Sequence, residues 1–460
     1  MNLPVTIALL GWIPVVFGLF VLLPARRAVV VSFVTGALFL PVGGFSLPGL
    51  PDYTRATATP MLCLAAVFLF DGTRLVRFRP SLLDLPMLAF CTVPLASSLT
   101  SFGIGPKGLY DGASAVVHST IVWGVPYFIG RLYLDDLAAH KGLAVGMLVG
   151  ALIYVPLCLF EIRMSPQLHY MLYGYHPHSF VQHMRQDGYR PMVFMGHGLA
   201  VGLWMAVCSL IGVWLWWTGA VRTLLNVPLR FSVPVLLVTL VLCKAIGVLL
   251  ILAVAGGALF AAKWLRMRTA LAVLALVPLL YIADRMAGSP ATRQFIAVAA
   301  AISPDRASSL ETRIVNEEAL AARALQRPVF GWAGWGDSRV KDEEGNDVSI
   351  TDGLWVIFLG INGVVGLGAL LGWHLLPPLA VIRRVAPGGL GSAAAAPALA
   401  LSVVLLMVAI DALPNSPHNP VYTMISGGLV SLSVALRRPR PVTIERTAVQ
   451  RGRAGAPALE

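Results

Sequence analysis

Apolar residues run along this chain in blocks of close to twenty, separated by short polar stretches. The blocks stand at about 4–23, 28–46, 57–70, 81–99, 114–130, 142–160, 193–217, 227–243, 245–262, 269–283, 353–378, 391–411 and 419–436. A window of that length matches the roughly 30 Å hydrocarbon core of a bilayer when coiled as a helix. The pattern therefore predicts an all-α polytopic membrane protein of about 12–13 transmembrane helices, thirteen by this division. The third block is short, and the pair around Lys244 reads either as two spans or as one long tilted or broken helix.

The polar stretches orient the blocks. Arg26 and Arg27, Arg74, Arg77 and Arg79, Arg131 and Lys141, Arg222 and Arg230, Lys263, Arg266 and Arg268, Arg383 and Arg384, and Arg437, Arg438 and Arg440 all fall on one side of a thirteen-span arrangement. By the positive-inside rule that side is cytoplasmic. The expectation is a single bundle over 1–436, with two long outward loops at about 161–192 and 284–352. A basic cytoplasmic tail follows over 437–460, rich in Pro, Gly and Ala and read as disordered beside anionic headgroups. The first block lacks a basic leader and a small-residue cleavage site, so it reads as a membrane helix and not as a signal peptide.

Composition narrows the classes. Of 460 residues 57% are hydrophobic and 12% charged, too apolar a balance for a soluble domain to hide. The net charge of +12 is spread in short clusters between spans, a topology signal that does not point to nucleic acid. Cys63, Cys91, Cys158, Cys208 and Cys243 all lie in or beside apolar blocks without a CxxC spacing, so neither a disulfide framework nor a zinc site is expected. No internal repeat stands out, which weighs against a transporter built from two related halves.

Two large outward loops offer material for a site at the outer face. In "SLETRIVNEEALAARALQRPVFG", Ser308 and Glu311 fit a capping box, and Leu310, Ile314, Ala321 and Leu325 fall on one face of a surface helix that Pro328 stops. Arg313 and Glu317 are spaced i, i+4, which by itself makes an exposed ion pair worth about 0.3–0.5 kcal/mol. The turn "GWAGWGDS" that follows brings Trp332 and Trp335, either as flat faces for a sugar ring or as interfacial anchors. Asp352 stands at the foot of the next block, as a proton acceptor for an incoming hydroxyl, as a helix N-cap, or as both.

The shorter loop ends in "RPMVFMGHGLAVGL". Arg190 there is poised to project into the headgroup layer, where a guanidinium grips phosphate as a bidentate fork without a metal. His197, seven residues on and about two turns into the span, stacks on the same face as Arg190 and reads as a packed or hydrogen-bonded ring or as a direct participant. His169, His176, His178 and His183 have no metal-ligand spacing, and with Tyr170, Tyr173, Tyr175 and Phe180 they read as an interfacial segment. Lys244, in "LVLCKAIGVLLIL", is either a functional ionisable group between apolar segments or a turn residue at the surface.

Three pieces, in this order, resemble the bacterial O-antigen ligase and polysaccharide polymerase superfamily: "RPMVFMGHGLAVGL", "ETRIVNEEALAARALQRPVFGWAGWG" and "DGLWVIFLGINGVVGLGAL". The resemblance in architecture runs from the second block to the last, with the motifs between 190 and 370. It implies a C-type glycosyltransferase bundle in the bacterial inner membrane with its site facing the periplasm. It implies a metal-independent, inverting glycosyltransferase without cofactor that takes a glycan from undecaprenyl diphosphate. In that reading Arg190, Arg313, His197 and Lys244 bind the diphosphate, Asp352 and Arg313 are catalytic, and Trp332, Trp335 and Glu317 contact glycan. Lys244 matches an arginine of a Ser-Arg-Gly-Ala stretch of that superfamily, although its neighbours differ. Its ligases carry a His-Asn pair after the large loop, where this chain has Asp352 and Gly353, so a glycan polymerase is expected ahead of an O-antigen ligase.

The implied partners are the lipid-linked glycan, membrane lipids and polysaccharide assembly and export proteins. A flippase or exporter of lipid-linked sugar, the alternative of another class, would carry several charges inside the spans. Apart from Asp84, Lys244 and Asp411 near span ends, the blocks are nearly clean.

Overall fold

The structure, a computed structural model, describes residues 2–47, 50–101, 108–185, 188–289, 292–294, 300, 304–350 and 352–437. The rest of the basic tail lies outside them. The helices are α1 Leu3–Leu22, α2 Ala25–Phe39, α3 Arg55–Phe70, α4 Thr73–Val76, α5 Leu85–Thr100, α6 Leu109–Ser119, α7 Val125–Tyr133, α8 Leu137–Met164 and α9 Leu168–Tyr173. They continue with α10 Gly198–Trp217, α11 Leu229–Leu242, α12 Ile246–Trp264, α13 Thr269–Met286, α14 Pro304–Leu325, α15 Leu354–Arg384, α16 Ala396–Asp411 and α17 Pro420–Ala435. Three two-stranded hairpins are the sheets among the described residues.

Every one of the expected apolar blocks contains a helix, and among the described residues eight helical segments are long and apolar enough to cross a bilayer. α6 and α7 form one of these, joined by a single π-helical turn at Thr120–Gly124. The chain is an all-α, multi-pass membrane protein. Its outer helices present leucine and valine outward, among them Leu10 and Val21 of α1, Val238 of α11, Leu250 and Val254 of α12 and Leu280 of α13. Such surfaces suit lipid and not water.

The centre is built from α10, α16 and α17, which are buried nearly all round. α17 lies against α7 with no side chain between the backbones: a Cβ at Gly427 would stand 2.0 Å from the Tyr127 carbonyl oxygen, and one at Gly130 2.1 Å from that of Met424. Small residues at such crossings let helices approach closely, and packing of this kind drives association in lipid. Arg131 of α7 is buried there, donating to Asp84 at 2.8 Å and to Ser431 of α17 at 2.6 Å.

α16 and α17 have 16 residues each, about 24 Å of helix, which is shorter than a hydrocarbon core. The polar loop 412–419 joins them inside the bundle end. Irregular backbone is tolerated there because it lines a cavity.

Lys244 separates α11 from α12 with a left-handed backbone (φ 53), so the apolar stretch around it is two helices and not one. α15 is also broken, at Gly363 (φ 64). The freed backbone groups there are taken up by the Gly-Trp turn: Trp332 and Ala333 donate to the carbonyls of Gly360 and Ile361, and Val364 donates to that of Pro328. A Cβ at Gly331 (φ 69) would stand 2.6 Å from the Gly360 oxygen, so the glycine is demanded by this docking.

Four expectations change. α14 begins at Pro304, so Ser308 lies within the helix and is not its cap. Its buried face is Ile314, Glu317, Ala321 and Ala324, with Leu325 exposed, because the acidic residue faces a buried arginine. The cap of α15 is Gly353 and not Asp352. α10 starts at Gly198 and not near 193, so Arg190 and His197 do not share a helical face. Buried acceptors hold residues 192–194 out of helix instead.

Candidate functional site

That non-helical segment is the first wall of the site. Glu161, fully buried in the last turn of α8, accepts the amides of Leu168 (2.9 Å), Met192 (2.8 Å) and Val193 (2.7 Å). Tyr154 accepts the amide of Phe194 at 3.0 Å, and Arg55 donates to the Phe194 carbonyl at 2.8 Å. With its amides and carbonyl so engaged, the chain passes Val193 at φ 52 and enters α10 only at His197. Arg190 and His197 are thereby fixed at the two ends of one rigid bend.

The bend borders a cavity of about 1120 Å³. Its lining includes Arg190, His197, Arg313 and Asp352, expected site residues that come from three separate loops and helices. Arg190 is buried, lies over Gly198 and donates to the Lys244 carbonyl at 3.0 Å. Arg313, half exposed, faces Asp352 at 3.5 Å and not Glu317, its neighbour at i+4. Glu317 instead pairs with Arg285 of α13 at 2.9 Å and accepts from Tyr281 at 2.8 Å. Burial raises its pKa against the opposing pull of Tyr281 and Arg285.

Other expected residues stand elsewhere. Lys244 contributes its carbonyl to Arg190 but does not line the large cavity. Glu317 borders a smaller one of about 240 Å³, which shares Arg313, Ile350 and Asp352 with the first. Trp332 lies under Arg323, with the guanidinium 3.6 Å from the ring centre, and donates to the Arg323 carbonyl. Trp335 is half exposed beneath Arg339. Neither ring lines the cavity, and the Gly-Trp turn serves the break in α15.

Further charged or titratable groups line the cavity beyond those the sequence predicts, among them Asp52, Arg55, Asp411 and His418. Arg55 is the first residue of α3, and its guanidinium spans the carbonyls of Ala37 and Phe194. A lone arginine at the expected outward end of a span, against the basic bias of the other side, is the signal in the sequence. Asp411 ends α16 and accepts from Asn415 at 3.0 Å. His418 opens to the cavity with its ring edge-on to Trp123, 4.4 Å between centres. Enclosure by protein, and then the positive charge of Arg55 and His118, push its pKa down to about 4.

The caps of three helices complete the wall. Thr54 accepts from Ala56 at the start of α3, His197 from Leu199 at the start of α10, and Asn419 from Val421 at the start of α17. All three capping residues line the cavity, so three positive helix ends converge on it beside Arg55, Arg190 and Arg313. His197 accepts through Nδ1, which leaves its proton on Nε2, 3.4 Å from the Gln182 carbonyl oxygen. Cations and helix ends arranged in this way receive a multiply charged oxyanion. Asp52, Asp352 and Asp411 supply acceptors for a proton or a hydroxyl. Among the described residues no three His, Cys, Asp or Glu side chains are placed to hold a metal. The rings of His178, His183 and His197 lie within about 6 Å of one another at centre.

No protein-family model matches the chain, and no curated protein does.

Proposed function

We propose that the chain is a membrane glycosyltransferase that extends a surface polysaccharide from glycans linked to a polyprenyl diphosphate. The observation that carries this reading is the meeting of Arg190 and Arg313, distant in the chain, in one cavity walled by three capped helix ends and Arg55. A diphosphate is the charge such a wall suits, and the apolar flanks of Leu199, Leu203 and Tyr422 suit a lipid-linked molecule. In this reading the bundle is a C-type glycosyltransferase with thirteen crossings, and the cavity opens on the periplasmic face of a bacterial inner membrane.

The acceptor hydroxyl attacks the anomeric carbon of the donor from the side opposite the diphosphate. The carbon–oxygen bond to the phosphate breaks, the diphosphate leaves with the electron pair, and the hydroxyl proton passes to Asp352. Arg190 and Arg313 stabilise charge as it develops on the leaving group. Because Arg313 already faces Asp352, an arriving phosphate draws it away and frees the carboxylate to act as base. Departure from the His-Asn pattern of ligases supports polymerisation ahead of ligation.

The test is a nanodisc assay with undecaprenyl-diphosphate-linked repeat units in the presence of chelator. Wild type is expected to build a ladder of longer lipid-linked glycans, and Arg190→Ala and Arg313→Ala each to lower turnover by about 100-fold or more. Asp352→Asn is expected to lower turnover while donor binding survives. Donor binding without extension, with or without a core-lipid acceptor, would overturn the enzyme reading.

A further inference from the structure

The end of the bundle opposite the cavity carries a second feature. α10 runs 20 residues, about 30 Å, from its cap in the cavity to Trp217, so its two ends stand one hydrocarbon thickness apart. Past Trp217 the chain forms an open groove of about 570 Å³ lined by Trp216, Trp217, Thr218, Arg222, Thr223 and Arg230, with Gly219 and Pro228 completing it. The lining holds no carboxylate. Lys263 of α12 stands 5.6 Å from the ring centre of Trp217 and adds a third positive charge.

What sets the groove apart is that two arginines and a lysine without an acidic partner gather beside two tryptophans in one place. On the same expected face Arg26 is paired with Asp135 and Asp136, Arg74 with Asp71 and Asp135, and Arg131 with Asp84, while Arg77 and Arg79, like the groove arginines, form no ion pair among the described residues. Among the described residues Arg222, Arg230 and Lys263 form no ion pair.

A hairpin holds the two arginines together. Thr223 pairs with Pro228 and Leu224 with Val227, and the Leu229 amide donates to the Arg222 carbonyl at 2.9 Å. Leu224 is buried and anchors it. The turn passes through Leu225 and Asn226 at φ 49 and 63, a conformation in which a leucine is strained. Leu225 is nevertheless 68% exposed at the tip, with Val227 and the two tryptophans also exposed. An apolar tip, indole rings and unpaired guanidinium groups at one level match the boundary between acyl chains and headgroups.

We infer that this groove is a binding site for the headgroup of an anionic phospholipid. The guanidinium groups of Arg222 and Arg230 hold the phosphate, Lys263 adds attraction, and Leu225 and the tryptophans contact the upper acyl chains. The inference is independent of the glycosyltransferase reading.

The test is native mass spectrometry and thermal unfolding of the full chain with phosphatidylglycerol or phosphatidylcholine. Wild type is expected to retain one phosphatidylglycerol and to release phosphatidylcholine. The double variant Arg222→Gln/Arg230→Gln is expected to lose affinity about 30-fold, while Arg77→Gln/Arg79→Gln, with the same charge change, keeps it. Equal loss in both variants means general surface attraction and overturns the site, as does equal retention of the two lipids. Displacement of the lipid by millimolar inorganic phosphate assigns the groove to soluble phosphate and overturns the lipid assignment. If the double variant fails to fold, Arg222→Lys/Arg230→Lys carries the test: it is expected to keep charge attraction and lose part of the bidentate preference, and unaltered affinity overturns the guanidinium role.

Discussion

Glu161 holds the bend that follows Arg190, although it does not line the cavity. One carboxylate oxygen accepts from Leu168 and the other from both Met192 and Val193, all at 2.7–2.9 Å and without exposure to solvent. Leaving a buried donor without its acceptor costs about 1–3 kcal/mol. Glu161→Ala leaves two donors of the bend, the Met192 and Val193 amides, without their acceptor, so local opening there should become easier by about 2 kcal/mol or more. Amide exchange of Met192 and Val193 is then expected to accelerate at least ~30-fold, with the amides in the middle of α10 unaffected.

Glu161→Gln supplies an internal control. It keeps one oxygen, so either Leu168 or the Met192–Val193 pair speeds up, and the other stays protected. Hydrogen exchange read by mass spectrometry in nanodiscs measures both, and binding of the proposed lipid-linked donor should weaken in step as Arg190 loses its fixed bend. If Glu161→Ala leaves exchange at 192–193 within about threefold of wild type, the carboxylate does not hold the bend and the argument fails.

Two other perturbations probe different parts of the site. Arg285→Met leaves Glu317 buried without its ion-pair partner, which should destabilise the docking of α14 by about 3–5 kcal/mol, whereas Arg285→Met/Glu317→Leu should recover much of that loss. Limited proteolysis of α14 and the thermal midpoint report it, and a double variant no better than the single would contradict a paired role. The folded pKa of His418 is depressed below its unfolded value, so the unfolded chain binds more protons between about pH 6.5 and 4. Its contribution to stability is therefore full above the unfolded pKa and lost as pH falls through that window. Thermal midpoints from pH 7 to 4 should fall less steeply in His418→Gln than in wild type, and identical slopes would contradict the depressed value.

Much of the architecture was legible because a bilayer makes a strict demand on sequence. Apolar runs of one length are detectable without any knowledge of packing, and each of the expected blocks contains a helix. Arg190, His197, Arg313 and Asp352 were legible through chemical type and position beside a span, and they do meet in one cavity. Errors arose where a tertiary partner overruled local pattern. The helical start at 193 was undone by Glu161 and Tyr154 taking the amides of residues 192–194. The i, i+4 pair of Arg313 and Glu317 was broken because Arg285 and Asp352 offered each a partner from another element.

What the sequence alone determined is the membrane, the helices and the uneven spread of charge, since these follow from runs of residues and a solvent that solvates no backbone. Tertiary structure decided which polar groups share a cavity. Arg55, Asp411 and His418 join the site because helices stop short of the bilayer width and turn their capped ends toward one another. The Gly-Trp turn became a seal for the break at Gly363 for the same reason: backbone groups freed deep in the bundle must find partners, and only the folded chain says which segment is near enough to supply them.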